Sequence, residues 1–131
     1  MSSAKADVDI SVEEENINDQ RKLVVQVWYP TNVDSKEKYP YIDNPEKRLG
    51  PLSDQVELPK FMIRHIQGIR TNSSLNVPIH PDIDSLPVIL FSHGLGGMKA
   101  QNTAQVEELV SHGYFVIAPD HPFDANITIF D

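Results

Sequence analysis

An apolar run, Pro87-Val88-Ile89-Leu90-Phe91, stops abruptly at Ser92-His93-Gly94-Leu95-Gly96-Gly97. No other stretch limits the fold of this chain so strongly. The run reads as a buried strand that ends in a loop holding three of the chain's six glycines. Glycine lacks a Cβ, so such a loop can take positive φ and bring backbone N–H groups close to a bound group. Residues Asn102 to Gly113 then read as a helix. Asn102 suits the N-cap, and Gln105 three residues on suggests a capping box. Val106, Leu109 and Val110 form one apolar stripe, and Gly113 is placed to close the helix in a left-handed turn. A second apolar run, Tyr114-Phe115-Val116-Ile117-Ala118-Pro119, follows. Strand, glycine loop, helix and strand make a βαβ unit over 86–122, and open α/β sheets bind ligands at the carboxyl ends of their strands.

Upstream, Asp7 to Val12 alternates polar and apolar residues, the period of a half-buried strand. Lys22 to Pro30 is a stronger strand, rich in β-branched and aromatic residues. The polar stretch Glu13 to Arg21 between them carries the turn formers Asn16, Asn18 and Asp19. Residues 1–30 therefore predict an antiparallel hairpin at the sheet edge. Eight of the ten prolines fall between Pro30 and Pro87. Proline fixes φ and has no N–H, so long regular elements are not expected over 31–85. The exception is Pro59 to Gln67, with proline at a first helical position and Phe61, Met62, His65 and Ile66 at helical spacing before Gly68. Such an excursion serves as a lid, a pocket wall, a binding loop or a plain surface connection. Its Phe61-Met62-Ile66 stripe reads either as core or as the lining of an acyl pocket. After the loop at Asp120 to Asn126, residues 123–131 begin a further apolar element.

At 131 residues and 40% hydrophobic content, the chain is the size of one ordinary domain. A net charge of -8 argues against nucleic-acid binding and a polybasic membrane anchor. It leaves open transient contact with a lipid surface through an apolar patch. There is no cysteine, hence no disulfide framework and no thiolate metal site. The N-terminal residues lack the apolar core of a signal peptide, so the chain reads as cytoplasmic by default. The sequence says nothing of oligomeric state.

Four groupings invite a chemical reading. Ser92 and His93 are neighbours, but adjacent strand residues point to opposite faces and are poorly placed to share a proton. His93 reads instead as ordering the glycine loop through its ring nitrogens, or as an ordinary loop histidine. Asp120, His121 and Asp124 are too few for a metal site, and Asp-His-Pro more often shapes a turn. No metal or other cofactor is expected. Gly94-x-Gly96-Gly97 lacks the third glycine of a dinucleotide loop, where Lys99 stands, and the Walker lysine is missing. Met98 and Phe123 read as lining a substrate pocket.

Val27-Trp28-Tyr29-Pro30-Thr31, the Pro87–Gly97 stretch, Leu109-Val110-Ser111-His112-Gly113-Tyr114 and Val116-Ile117-Ala118-Pro119-Asp120-His121 together resemble the α/β-hydrolase superfamily. More narrowly they are similar to the platelet-activating factor acetylhydrolases of the plasma and bacterial-like branch. Dienelactone hydrolases, chlorophyllases and polyester-degrading cutinases share parts of the pattern. The resemblance implies an α/β fold: the N-terminal part of an α/β-hydrolase domain. It also implies a serine ester hydrolase acting on short or oxidised acyl chains of phospholipids. By the same resemblance, the backbone N–H of Leu95 is half of an oxyanion hole, supported by His93, Gly94 and Gly96. Such a family places its nucleophile in a Gly-x-Ser-x-Gly elbow, followed by Asp/Glu and His. None of the ten serines here has glycine two residues before and two after. The expectation is therefore that all three triad members lie beyond Asp131 and that the chain alone is inactive. The alternatives are a non-catalytic α/β-hydrolase-like binding or regulatory module and a related dienelactone hydrolase or polyester-type esterase.

Overall fold

The computed structural model describes residues 2–12 and 21–130, and the turn expected at Glu13 to Arg21 lies almost wholly outside them. Strands β1 (Ser2–Val12) and β2 (Arg21–Thr31) pair antiparallel along their whole length, with Val8 opposite Val25. The predicted hairpin is present, but it does not sit at the edge. The sheet order is β3-β4-β1-β2-β6-β5, where β3 is Lys38–Pro40, β4 is Arg70–Leu75, β5 is Val88–Leu90 and β6 is Phe115–Asp120. The excursion returns β3 and β4 to the sheet and covers the free side of β1. Strand β4 reads Arg-Thr-Asn-Ser-Ser-Leu. It has neither an apolar run nor apolar alternation, so nothing in its pattern announces a strand. It holds its place through polar contacts: Ser73 is fully buried and its hydroxyl donates to the Glu107 carboxylate at 2.6 Å.

The excursion also holds a helix that its prolines argued against, α1 (Pro45–Gln55). Pro45 stands in the first turn, where its missing N–H removes no helical bond, whereas Pro51 lies inside. Tertiary contacts outweigh that penalty, because Arg48 is drawn into the interior and is 2% exposed. The helix expected at Pro59 to Gln67 forms in two pieces, α2 (Lys60–Ile63) and a 3₁₀ turn (Arg64–Gly68), with Pro59 at the N-cap rather than inside. Tightening to three residues per turn changes the buried face. Ile63 is buried, while Phe61 and Met62, expected on the apolar stripe, are exposed.

The βαβ unit has the expected order and pairing, but β5 is not the buried strand expected: it ends the sheet order, and Val88 and Leu90 are exposed. Strand β5 pairs parallel with β6, and the Phe91 N–H extends the ladder to the Ile117 carbonyl at 2.8 Å. The crossover helix is α3 (Thr103–Ser111), and Gly113 behind it takes φ +90°. The capping box does not form, since the Asn102 side chain makes no cap bond. The chain enters α3 through tight turns, Gln101 N–H to Met98 O and Thr103 N–H to Ala100 O, which bind backbone donors near the helix start.

Side chains alternate across the sheet, so two cores flank it. Trp28, Val116 and Ala118 face α3 and pack with Val106 and Val110. Val25, Val27 and Tyr29 face the other way, where the Tyr29 ring stacks on Phe115 at 6.1 Å. Trp28 is 1% exposed at the sheet–helix contact. Trp28→Ala is expected to cost about 3–5 kcal/mol, read as a lowered urea midpoint at constant m-value. A loss below about 1 kcal/mol would mean that α3 does not depend on this contact. Among the described residues no helix is long and apolar enough to cross a membrane.

Candidate active site

The carboxyl ends of β5 and β6 lie side by side, and two loops leave them together. The first begins at Ser92 and closes a turn in which the Gly97 N–H donates to the Gly94 carbonyl at 2.8 Å. Gly96, at the third position, has φ +72°. Positive φ there and not at Leu95 is the type II arrangement, which requires glycine at that place. A Cβ on Gly96 would also stand 2.6 Å from Nε2 of Gln55. One on Gly97 would stand 2.9 Å from the Gly94 carbonyl.

The second loop, after β6, pins the first. The Gly96 N–H donates to the Asp124 carbonyl at 2.7 Å, and the Asn126 N–H donates to the Gly97 carbonyl at 2.8 Å. The Asn126 side-chain amide donates to Oε1 of Gln55 at 2.7 Å, tying α1 into the same arrangement. His93, 7% exposed, bridges the two loops. Its Nδ1 lies 2.8 Å from the Gly94 carbonyl, and its Nε2 accepts the His121 N–H at 3.0 Å. A carbonyl only accepts and an N–H only donates, so this network assigns the neutral tautomer with the proton on Nδ1.

In this loop the Gly96, Gly97 and Lys99 amides donate to protein acceptors, while the N–H groups of Gly94, Leu95 and Met98 have no hydrogen-bond partner among the described residues. The Leu95 side chain is 87% exposed. Ser92 does not pair with its neighbour His93. Its Oγ lies 2.9 Å from Nε2 of His121, whose ring tilts against that of His93 at 4.9 Å. No sequence spacing signalled this contact, because parallel pairing across 29 residues makes it. It has the geometry of a nucleophile and base, but His121 Nδ1 has no orienting partner among the described residues.

Asp120, His121 and Asp124 are engaged separately. The Asp120 carboxylate turns inward to the Lys99 N–H, His121 meets Ser92, and Asp124 offers its carbonyl to Gly96. A cavity of about 280 Å³ lies between the glycine loop and the excursion, walled by Tyr41, Leu52, Val56, Ile66, Leu95 and Met98. Met98, expected to line a substrate pocket, borders this cavity. Phe123 does not line that cavity; it is fully exposed, with φ +76°. Burial pushes the Tyr41 phenol above the ordinary tyrosine range, so it stays a neutral O–H, which donates to the Gln101 carbonyl at 3.3 Å.

A family model described as platelet-activating factor acetylhydrolase, isoform II, matches residues 8–130. The platelet-activating factor acetylhydrolase of the dog, Canis lupus familiaris, is 30% identical over 101 residues, covering 74% of this chain and 22% of that protein. That of cattle, Bos taurus, is 30% identical over 100 residues, with the same coverage. Among solved structures, a ferulic acid esterase from Streptomyces cinnamoneus is similar with a TM-score of 0.70 at 25% identity, covering 95% of this chain and 34% of that one. The chain spans little more than a fifth of the length of these mammalian relatives. The fold is the expected one, α/β and corresponding to the N-terminal part of a hydrolase domain.

Proposed function

Because the chain belongs to the platelet-activating factor acetylhydrolase, isoform II, family, we propose that it supplies the oxyanion side of a serine ester hydrolase active site. The substrates are phospholipids bearing short or oxidised acyl chains. The observation that carries this reading is the Leu95 N–H: it lies in a loop pinned at both ends, at the carboxyl end of β5, and no acceptor among the described residues takes it. In the proposed reaction a serine oxygen adds to the ester carbonyl carbon as its proton passes to the catalytic histidine, and the C=O electron pair moves onto oxygen. The Leu95 N–H meets that oxyanion, with the amide after the nucleophile as second donor. The tetrahedral species collapses and expels the alcohol, which takes a proton from the catalytic histidine. Water then repeats the addition and frees the acid. A donor that is already in place needs no reorientation as charge develops. The nucleophile, acid and histidine are assigned to sequence outside residues 1–131.

A fluorophosphonate probe on the complete native gene product tests this. The expected adduct is on one serine of a Gly-x-Ser-x-Gly elbow outside residues 1–131, suppressed by a 1-alkyl-2-acetyl glycerophosphocholine. A native product of 14.8 kDa, or one in which no serine reacts, sinks the proposal. Suppression by a feruloyl ester but not by the phospholipid would keep the esterase and replace the substrate.

A further inference from the structure

Behind the glycine loop four charged side chains meet almost without access to solvent. Arg48 and Lys99 are 3% and 2% exposed at the side chain, Asp120 is 0% and Asp43 is 14%. Arg48 places Nε 2.7 Å from Asp43 Oδ1, though that N–H is not aligned as a hydrogen bond. Its terminal nitrogens donate to Asp43 at 3.3 Å, Asp120 at 3.4 Å and the Ile127 carbonyl at 2.9 Å. Lys99 Nζ completes the group, 3.3 Å from Asp43 and 3.8 Å from Asp120. Two positive and two negative charges cancel. Removing one of them leaves a buried charge uncompensated, which is far more disruptive than losing a surface pair.

What matters is where these residues come from. Asp43 and Arg48 belong to the excursion, Lys99 follows the glycine loop directly, and Asp120 ends β6. Besides its cations, Asp120 holds the Lys99 backbone N–H at 2.5 Å. The next residue, His121, holds the His93 ring through its own N–H. Two consecutive residues at the end of β6 therefore grip the entrance and the exit of the loop. The entrance grip is made by neutral hydrogen bonds, whereas the exit grip depends on charge carried in by the excursion. Arg48 borders the cavity, but both of its terminal nitrogens donate inward, to Ile127 and to Asp43 and Asp120, so it is not disposed to bind a substrate anion.

We infer that Arg48 is a positioning residue for the Leu95 amide: with Asp43, Lys99 and Asp120 it fixes the exit of the glycine loop and couples the excursion to it. The inference rests on the reading of Leu95 as an oxyanion donor. Without Arg48, Asp120 loses a cation and the Ile127 carbonyl loses its donor. The carboxylate then relaxes toward Lys99, and the loop exit follows it. A displacement of about 1 Å at such a site costs on the order of 10²-fold in rate.

The test uses Arg48→Met and Arg48→Lys in the complete native gene product, with p-nitrophenyl acetate as substrate. Turnover is expressed per fluorophosphonate-titrated site, so that unfolded molecules do not count. Arg48→Met is expected to lower kcat per titrated site about 10- to 100-fold while KM changes much less. Arg48→Lys keeps a charge and loses the fork, and should recover part of the loss. Hydrogen exchange over 94–99 should quicken in Arg48→Met while 106–110 in α3 stays protected. If kcat per titrated site is unchanged and only the titratable fraction falls, Arg48 is merely structural and the inference is overturned. If Arg48→Met does not fold, Arg48→Lys decides by the same two readings. If the wild-type product takes no fluorophosphonate, the proposed function fails by itself. The exchange measurement still judges the coupling, and equal exchange over 94–99 in both proteins would refute it.

Discussion

Leu95→Pro in the complete gene product is expected to lower kcat for a short-chain ester by about 10²- to 10³-fold, the usual loss for one oxyanion donor. The substitution is a clean one for structural reasons. Leu95 is the second residue of a type II turn, where proline is favoured, so the turn itself is preserved. Its side chain is largely exposed, so little packing is lost. The one group deleted is the N–H that no described residue accepts. Leu95→Ala keeps that N–H and should stay within about threefold of wild type, the range of an ordinary exposed position. A proline variant as active as the alanine variant would remove the Leu95 amide from the mechanism. A loss shared equally by both would assign the effect to the side chain at the cavity wall instead.

The 131-residue chain by itself is expected to show no ester turnover and no fluorophosphonate adduct. Ser92 is the serine that tests this, since it lies 2.9 Å from His121 Nε2 near the Leu95 amide. A serine and histidine in contact still need the base held in the right orientation. His121 lacks that third group among the described residues. The chain is also expected to associate. Strand β5 ends the sheet order with one neighbour, β6, and there Val88 is 62% and Leu90 is 70% exposed. An apolar edge with unpaired backbone groups is a template for further pairing. Light scattering and active-site labelling of the isolated chain check both parts. Turnover abolished by Ser92→Ala would make Ser92 and His121 a working pair and displace the proposed nucleophile. A monomer that unfolds cooperatively at micromolar concentration would contradict the reading of the β5 edge.

What the sequence determined by itself is the βαβ unit and the loop inside it. Two apolar runs, an amphipathic helix with Gly113 behind it, and a glycine at the one turn position that demands positive φ are local signals, each readable from a few neighbouring residues. The tertiary structure decided where those pieces stand and what holds them. It moved the hairpin from the edge to the middle, because a polar strand, β4, pairs there through contacts that no periodicity reveals. It kept α1 despite Pro51, because Arg48 is held by Asp43 and Asp120. It matched Ser92 with His121 rather than His93, since parallel pairing of β5 and β6 brings their ends together. In each case the deciding partner lies tens of residues away or its contact depends on burial. Local propensity is worth tenths of a kcal/mol for an ordinary residue and about 3 kcal/mol for an interior proline, whereas stripping a buried charge of its partner costs about 3–5 kcal/mol.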